Sequence, residues 1–247
     1  MTLATRISEV KARIAAAAAR AGRAPEAVTL VAVSKHMPPA LVREAHAAGL
    51  RDFGENYVQE LVGKASELSD LTDLRWHLIG HLQRNKARQV VSVASAVATV
   101  DSVALAAELG RRAAACPVPP ARRLPAAADG RLVVLVEVNV GGEDAKSGCA
   151  PGELGAILEA VEREPCLALR GLMTVPPFTE DPNAARPHFE RLVELQQTHG
   201  GGSRLPELSM GMSHDLEAAI AAGATQVRVG TALFGERPPR APRATAS

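Results

Sequence analysis

Eight short apolar runs alternate with helical stretches along most of this 247-residue chain, and this alternation restricts the fold more than any other feature. Several of the runs carry Val and Leu on both faces, as strands of a buried parallel sheet do. Strands that alternate with helices predict βαβ units and a parallel sheet. The runs cover residues 28–34, 50–54, 74–80, 96–101, 132–140, 167–175, 207–211 and 226–230.

Eight such units in a chain of this length favour a closed (β/α)8 TIM-type barrel, with an open doubly wound sheet as the alternative. We predict one domain over residues 1–237 and a disordered tail over residues 238–247. Residues 116–131 are rich in Pro, Ala and Arg and interrupt the alternation. They are predicted to form an irregular surface excursion without a functional role.

Composition excludes several classes of function. The net charge of +1 predicts no strong field for nucleic acid or anionic lipid. Three cysteines without a CxxC spacing argue against a disulfide framework and a structural zinc site. The alanine-rich N-terminus contains charged residues and predicts an amphipathic helix rather than a signal peptide. No apolar stretch reaches the ~18 residues that a membrane span needs, so a cytoplasmic location is expected.

In a (β/α)8 barrel the active site lies at the C-terminal ends of the strands, in the loops that follow them. The residues just past each run are therefore the candidates for chemistry. They are Ser34, Lys35, Glu55, Asn56, His81, Gln83, Asn139, Lys146, Met173, Thr174, Ser209, Gly211, Ser213, Gly230 and Thr231.

Lys35 is the first signal, because it closes a buried strand. Burial disfavours the charged form of a lysine, so its pKa is expected to fall, and a neutral amine is what Schiff-base formation requires. The alternative is a structural lysine paired with a carboxylate such as Glu55. Lys11, Lys64 and Lys86 lie in predicted helices and are interpreted as solvated charges.

The second signal is a pair of strand-to-helix junctions, SMGMSHDL and VRVGTALFG. Glycine lets a ligand approach the backbone, and the first N–H groups of a helix favour an anion. The loops after strands seven and eight are the usual phosphate site of this barrel, and Ser209, Ser213 and Thr231 add hydroxyl donors. The alternative is that both junctions are ordinary tight turns.

Arg228 is the third signal. It alternates with Val227 and Val229 in QVRVG, so it shares the face of Gly230 and points into the barrel mouth if Gly230 faces the ligand. A buried arginine needs an acceptor, and a pyridine nitrogen would serve. Because arginine stays protonated, it would leave that nitrogen unprotonated and weaken the ring as an electron sink. A salt bridge inside the barrel is the alternative.

Six motifs follow one another along the chain: VAVSKHMPP, FGENYVQE, WHLIGHLQRNK, VNVGGEDAKSG, LRGLMTVPP and LSMGMSHDLEAAIAAGATQVRVGTALFG. Together they resemble the pyridoxal phosphate homeostasis proteins, single-domain relatives of the N-terminal barrel of alanine racemase. The resemblance runs from about Val28 to Arg237. It implies a fold type III barrel that holds pyridoxal 5′-phosphate (PLP) and maintains its intracellular supply.

The resemblance also implies a role for each site residue. Lys35 would carry PLP as an internal aldimine, and Arg228 would contact the pyridine nitrogen. His36 and Met37 stand where the family often has Thr-Lys, a departure that bears on cofactor exchange. The phosphate would be held by Ser209, Met210, Ser213, Gly230 and Thr231, with Asn56 beside the ring and His81 and Met173 near it.

The resemblance favours a carrier over an enzyme. Racemising relatives need a second domain, a dimer partner and a tyrosine base opposite the lysine, and the one tyrosine here, Tyr57, is predicted to start a helix. A monomer that holds PLP and transiently supplies PLP-dependent apo-enzymes is therefore expected. The alternative is a small racemase-like enzyme using Lys35 with His81, Lys146 or water. A metal site at His77 and His81 is a third hypothesis, without an evident third ligand.

Overall fold

The computed structural model describes residues 1–142 and 147–235, which form a closed barrel of eight parallel strands paired in chain order. The predicted TIM-type barrel is confirmed, and the open sheet is wrong. Every strand lies inside its predicted run except the second, which extends one residue further. The strands are β1 Thr29–Val33, β2 Asp52–Glu55, β3 Arg75–Leu78, β4 Ala96–Val100, β5 Leu132–Glu137, β6 Leu167–Met173, β7 Glu207–Ser209 and β8 Gln226–Val229.

Helices surround the barrel and begin and end at residues suited to those positions. Thr2 caps the first helix by accepting a hydrogen bond from the Thr5 amide. Gly49 and Gly223 follow two helices with φ angles of +89° and +113°, which glycine adopts without strain. The helices are α1 Leu3–Arg20, α2 Pro39–Ala47, α3 Val58–Glu67, α4 Ala87–Val91, α5 Val103–Ala113, α6 Leu154–Glu162, α7 Arg186–Thr198, α8 Gly201–Arg204, α9 Leu216–Ala222 and α10 Thr231–Phe234.

The core has two parts. The larger part fills the layer between the strands and the helices. A smaller cluster fills the barrel interior with residues from β4, β5 and β6, and Leu124 and Ala127 pack against it. Because Ala127 is only 3% exposed, residues 116–131 are not merely a surface excursion. They contribute side chains to the apolar filling of the barrel.

The N-terminal end of the barrel holds a polar network. Asp52 accepts hydrogen bonds from Arg75 Nε at 2.8 Å and from His77 Nε2 at 2.9 Å. Burial alone would raise the pKa of Asp52, but these two partners hold it at about 2. Arg170 and Glu207 pair across the same end of the barrel. In barrels of this type, this end serves stability, whereas the opposite end carries function.

No helix within residues 1–142 and 147–235 has the length and apolar character that a membrane crossing requires.

Candidate functional site

A cavity of about 400 Å³ opens at the C-terminal end of the barrel and is partly open to solvent. Its wall contains six of the residues that the sequence predicts for the cofactor site: Lys35, Asn56, Ser213, Arg228, Gly230 and Thr231. These residues come from the ends of β1, β2, β7 and β8. The barrel topology therefore brings together positions that are almost 200 residues apart in the chain.

Lys35 lies on the cavity wall one residue after the buried Ser34. The Ser34 amide donates to Gly54 O at 3.0 Å, and the Met37 amide donates back to Ser34 O at 3.0 Å. The chain therefore turns sharply at Lys35, and His36 takes a positive φ of 65°. This turn ends the strand and leaves Lys35 at the rim of the barrel.

The carboxylate that the sequence suggests as a partner for Lys35 is bound elsewhere. Glu55 accepts hydrogen bonds from Lys64 Nζ at 2.7 Å and from Ser34 Oγ at 2.6 Å. Lys64 is buried, so its interpretation as a solvated helix charge is wrong. The apolar positions of α3 turn this face of the helix toward the barrel, and Lys64 lies on it with Val58 and Leu61.

Arg228 is buried at the base of the cavity, with 4% of its surface exposed. Its Nη1 donates to Ser209 Oγ at 2.7 Å and its Nη2 donates to Thr174 O at 2.8 Å. Burial lowers the pKa of Arg228 to about 10, so the guanidinium remains protonated at neutral pH. A fixed positive group therefore faces the cavity from below.

Glu137 is a functional candidate that the sequence analysis missed. Burial raises the pKa of its carboxyl to about 7, although the charge of Arg228 acts in the opposite direction. Its Oε2 has no hydrogen-bond partner within the described part of the chain. Glu137 could have been found by alternation along β5, because Val133 and Leu135 both face the barrel interior.

The loops after β7 and β8 form the other side of the cavity. Ser213 Oγ accepts from the Ala232 amide at 3.3 Å, which joins the two loops. A Cβ on Gly230 would lie 3.3 Å from Val33 O, so a larger residue would be crowded there. Arg13 of α1 donates from Nη2 to Ser213 O at 3.1 Å and fixes this loop from outside the barrel. The result is a cradle of hydroxyl and backbone groups.

Four other predicted residues do not line the cavity. His81 has a side chain that is 53% exposed, and its Nδ1 lies 3.3 Å from Asp101 Oδ2. Met173 and Met210 are fully buried, the first inside the barrel and the second in the layer beneath the helices. Ser209 is buried behind the wall as a partner of Arg228.

Lys146 and the predicted tail over residues 238–247 lie outside the described residues, as do residues 236 and 237 of the predicted domain.

The sequence analysis also missed the apolar wall of the cavity. Phe178 is 79% exposed, and its ring lies 5.8 Å from that of His214. His214 Nε2 is 2.8 Å from Glu180 O, so the loop after β6 is tied to the loop after β7. The sequence did offer a signal for this wall, because the apolar residues of VPPF lie at the end of the sixth strand run, on the side of the barrel that carries function. The wall also includes Val33, Met37, Ile79, Val175 and Met212.

The structure does not support a metal site in the part of the chain that it describes. Within residues 1–142 and 147–235, no three His, Cys, Asp or Glu side chains are grouped as metal ligands would be. His77 belongs to the Asp52 network and His81 pairs with Asp101, so the two histidines have separate partners.

Known proteins share both the sequence and the fold. Residues 6–238 match the family model of the alanine racemase N-terminal domain. A protein of Pseudomonas aeruginosa named pyridoxal phosphate homeostasis protein is 51% identical over 241 residues, which cover 98% of each chain. The structure of PipY from Synechococcus elongatus with PLP bound is 38% identical, with a TM-score of 0.75, over 95% of this chain and 100% of that chain. The PipY structure without PLP gives a TM-score of 0.78 over the same shares of both chains. The chain therefore belongs to the pyridoxal phosphate homeostasis protein family, whose barrel is that of the alanine racemase N-terminal domain.

Proposed function

We propose that this protein binds PLP covalently through Lys35 and serves as a reversible reservoir of the cofactor, without turning over a substrate. One observation carries this proposal. A lysine amine, a buried guanidinium and a cradle of hydroxyl and backbone groups all line the same cavity. The PLP bound to PipY and the names of the curated relatives support the identity of the ligand.

The residues present fit the chemical groups of PLP. Ser213, Gly230 and Thr231 offer polar and unhindered backbone positions for a phosphate. Arg228 has five N–H donors, and its bonds to Ser209 and Thr174 leave others for a ring nitrogen. An aldehyde condenses with a neutral amine to form a C=N bond and release one water, which is the link that Lys35 would make.

The chemistry of the site favours storage over catalysis. Arg228 stays protonated and donates, so a ring nitrogen against it would carry no proton and would withdraw electrons weakly. Tyr57 is 48% exposed, contacts the His36 ring and does not line the cavity. It is therefore not positioned as the second base that a two-base racemase needs.

A titration of the cofactor-free protein with PLP tests binding. We expect a visible absorbance band in the wild type and in Lys11→Ala, because Lys11 is exposed on α1. The Lys35→Ala variant should lack the band. A band of wild-type intensity in Lys35→Ala would refute the assignment of Lys35.

Turnover separates the carrier from the racemase alternative. The loaded protein should racemise D- or L-alanine no faster than free PLP does, as measured by chiral chromatography. It should also restore activity when mixed with a PLP-dependent apo-enzyme, because the cavity is open to solvent. Racemisation above the rate of free PLP would identify an enzyme instead. We further infer that the carrier is a monomer, which light scattering would report as a mass near 25.8 kDa.

A further inference from the structure

A largely buried group of polar and charged side chains lies directly behind the turn that carries Lys35. We call it the Lys64 cluster, and it consists of Ser34, Glu55, Glu60 and Lys64. Lys64 Nζ donates to Ser34 O at 2.6 Å, to Glu55 Oε1 at 2.7 Å and to Glu60 Oε2 at 3.3 Å. A lysine ammonium has three donors, so the described contacts use all of them.

The centre of the cluster is shielded from water, whereas the side chain of Glu60 at its edge is 28% exposed. The side chain of Lys64 is 7% exposed and that of Glu55 is fully buried. Burial raises the pKa of Glu55, and the neighbouring Lys64 charge opposes that rise. The Glu55 carboxyl also accepts from Ser34 Oγ at 2.6 Å, so Ser34 is held through both its hydroxyl and its carbonyl.

The cluster also holds the residue on the other side of Lys35. Glu60 Oε2 accepts from the His36 amide at 2.7 Å, and Glu60 Oε1 lies 3.0 Å from His36 Nδ1. His36 is the one non-glycine residue with positive φ in the described chain. Such a conformation persists where surrounding contacts hold it in place.

We propose that Lys64 is a positioning residue that fixes the backbone on both sides of Lys35 and so aims its amine into the cavity. Its ammonium contacts Ser34 directly and reaches His36 through Glu60. This inference rests on the proposed function, because the reaction it serves is the condensation of Lys35 with an aldehyde. Lys64 itself does not line the cavity.

Stability alone does not account for this arrangement. A buried ion pair is often no more stabilising than well-packed apolar residues of similar size. Apolar residues, however, could not donate to the carbonyl of Ser34. If the pair of Lys64 and Glu55 is only structural, removing both charges together should restore stability and the rate of adduct formation alike. If Lys64 positions the backbone beside Lys35, the same change should restore stability but not the rate.

Three variants separate the two roles. Lys64→Met leaves Glu55 buried without its cation and should lower stability, whereas Lys64→Met with Glu55→Gln removes both charges and should recover most of it. Lys11→Met is the control, since Lys11 is an exposed lysine on α1. Stability is measured by urea unfolding, and the rate of the Lys35 adduct by stopped-flow absorbance with PLP.

We expect adduct formation to slow by on the order of tenfold or more in both Lys64→Met variants, because small misplacements of a reacting group are costly. Pyridoxine 5′-phosphate, which lacks the aldehyde, should bind all variants within about twofold of the wild type, since such binding needs no reaction geometry. Recovery of the adduct rate together with stability in the double variant would show a structural pair only and overturn the proposal.

Labelling without cofactor tests the same claim independently. Acetic anhydride modifies free amines, and mass spectrometry follows the modification of Lys35 across pH in the cofactor-free protein. The profile should differ from the wild type in both Lys64→Met variants and match it in Lys11→Met. Identical profiles in all proteins would overturn the positioning role. A wild type that forms no adduct with PLP would instead refute the proposed function, and the labelling result would still decide the role of Lys64.

Discussion

At the scale of single residues, the centre of the barrel carries charges that are difficult to bury. Arg228 and Glu137 lie at the ends of β8 and β5, both almost fully buried. The charge of each shifts the pKa of the other toward the ionised form, against the effect of burial. Groups whose pKa values are displaced in this way are concentrated at functional sites.

Replacing Arg228 with Gln should alter the absorbance of bound PLP, because in the proposed binding mode the guanidinium donates to the ring nitrogen. The change should also lower the free energy of unfolding by about 1–3 kcal/mol, since Ser209 and Thr174 lose a buried donor. Arg170→Gln is the matched control, because Arg170 lies at the other end of the barrel. Spectra that are identical in wild type and Arg228→Gln would contradict the contact.

Glu137 should make stability depend on pH in a direction opposite to that of a typical carboxylate. Its pKa is about 7 in the folded protein against an ordinary value of 4.5, so the folded state keeps the proton longer. The contribution of Glu137 to the free energy of unfolding is therefore complete below pH 4.5, and it declines as the pH rises to about 7.

Glu137→Gln should accordingly gain stability relative to the wild type across this window, by up to about 3 kcal/mol, and the gain should level off above pH 7. Urea unfolding at several pH values measures it, with the exposed Glu9→Gln as the control. A difference between Glu137→Gln and wild type that does not change with pH would show that the pKa of Glu137 is the same in the folded and the unfolded protein.

At the scale of elements, α1 lies outside the eight βα units but supports the site. Arg13 donates from Nε and Nη2 to Glu217 of α9 and from Nη2 to Ser213 O. Arg6 donates to Leu233 O at the end of α10. One helix therefore braces both loops of the proposed phosphate cradle.

Arg13→Met should loosen this cradle and weaken the binding of phosphorylated ligands. We expect the affinity for pyridoxine 5′-phosphate to fall several-fold, about 1 kcal/mol, while the affinity for unphosphorylated pyridoxine stays the same. Calorimetry measures both, and Lys11→Met provides a lysine control on the same helix. Equal losses for the two ligands would mean that Arg13 supports the whole cavity rather than the phosphate side.

Elements that depend on local pattern could be predicted from the sequence, whereas those that depend on tertiary packing could not. The strands could be predicted because burial on both faces leaves continuous apolar runs in the sequence. Because the C-terminal ends of the strands meet at one end of the barrel, Lys35, Asn56 and Arg228 could also be predicted to share one cavity. The burial of Lys64 could not be predicted, because a helical lysine is usually solvated and this one is buried by the packing of α3 against the barrel. The direction of the Met210 side chain could not be predicted either, because it depends on the register of the short strand β7 within the barrel.

At the scale of the whole molecule, the two ends of the barrel have different tasks. The C-terminal end holds an accessible cavity with an exposed apolar rim at Phe178 and Val175. The N-terminal end holds Asp52 within a network of basic partners. We therefore expect a loss of stability at the N-terminal end to leave ligand binding at the C-terminal end unchanged.

Asp52→Asn should test this separation. The pKa of Asp52 is about 2 against an ordinary 3.8, so its carboxylate contributes about 2 kcal/mol above pH 3.8, and this contribution is lost as pH falls toward 2. The variant should unfold more easily at pH 7 but bind PLP with unchanged affinity. A parallel loss of PLP affinity would show that the two ends are coupled.

The proposed function requires that Lys35 is the amine that holds PLP. Borohydride reduction of the PLP-loaded protein, followed by proteolysis and mass spectrometry, tests it most directly. We expect one reduced pyridoxyl group, attached to Lys35. A pyridoxyl group on another lysine, such as Lys86 or Lys146, with Lys35 unmodified, would contradict it.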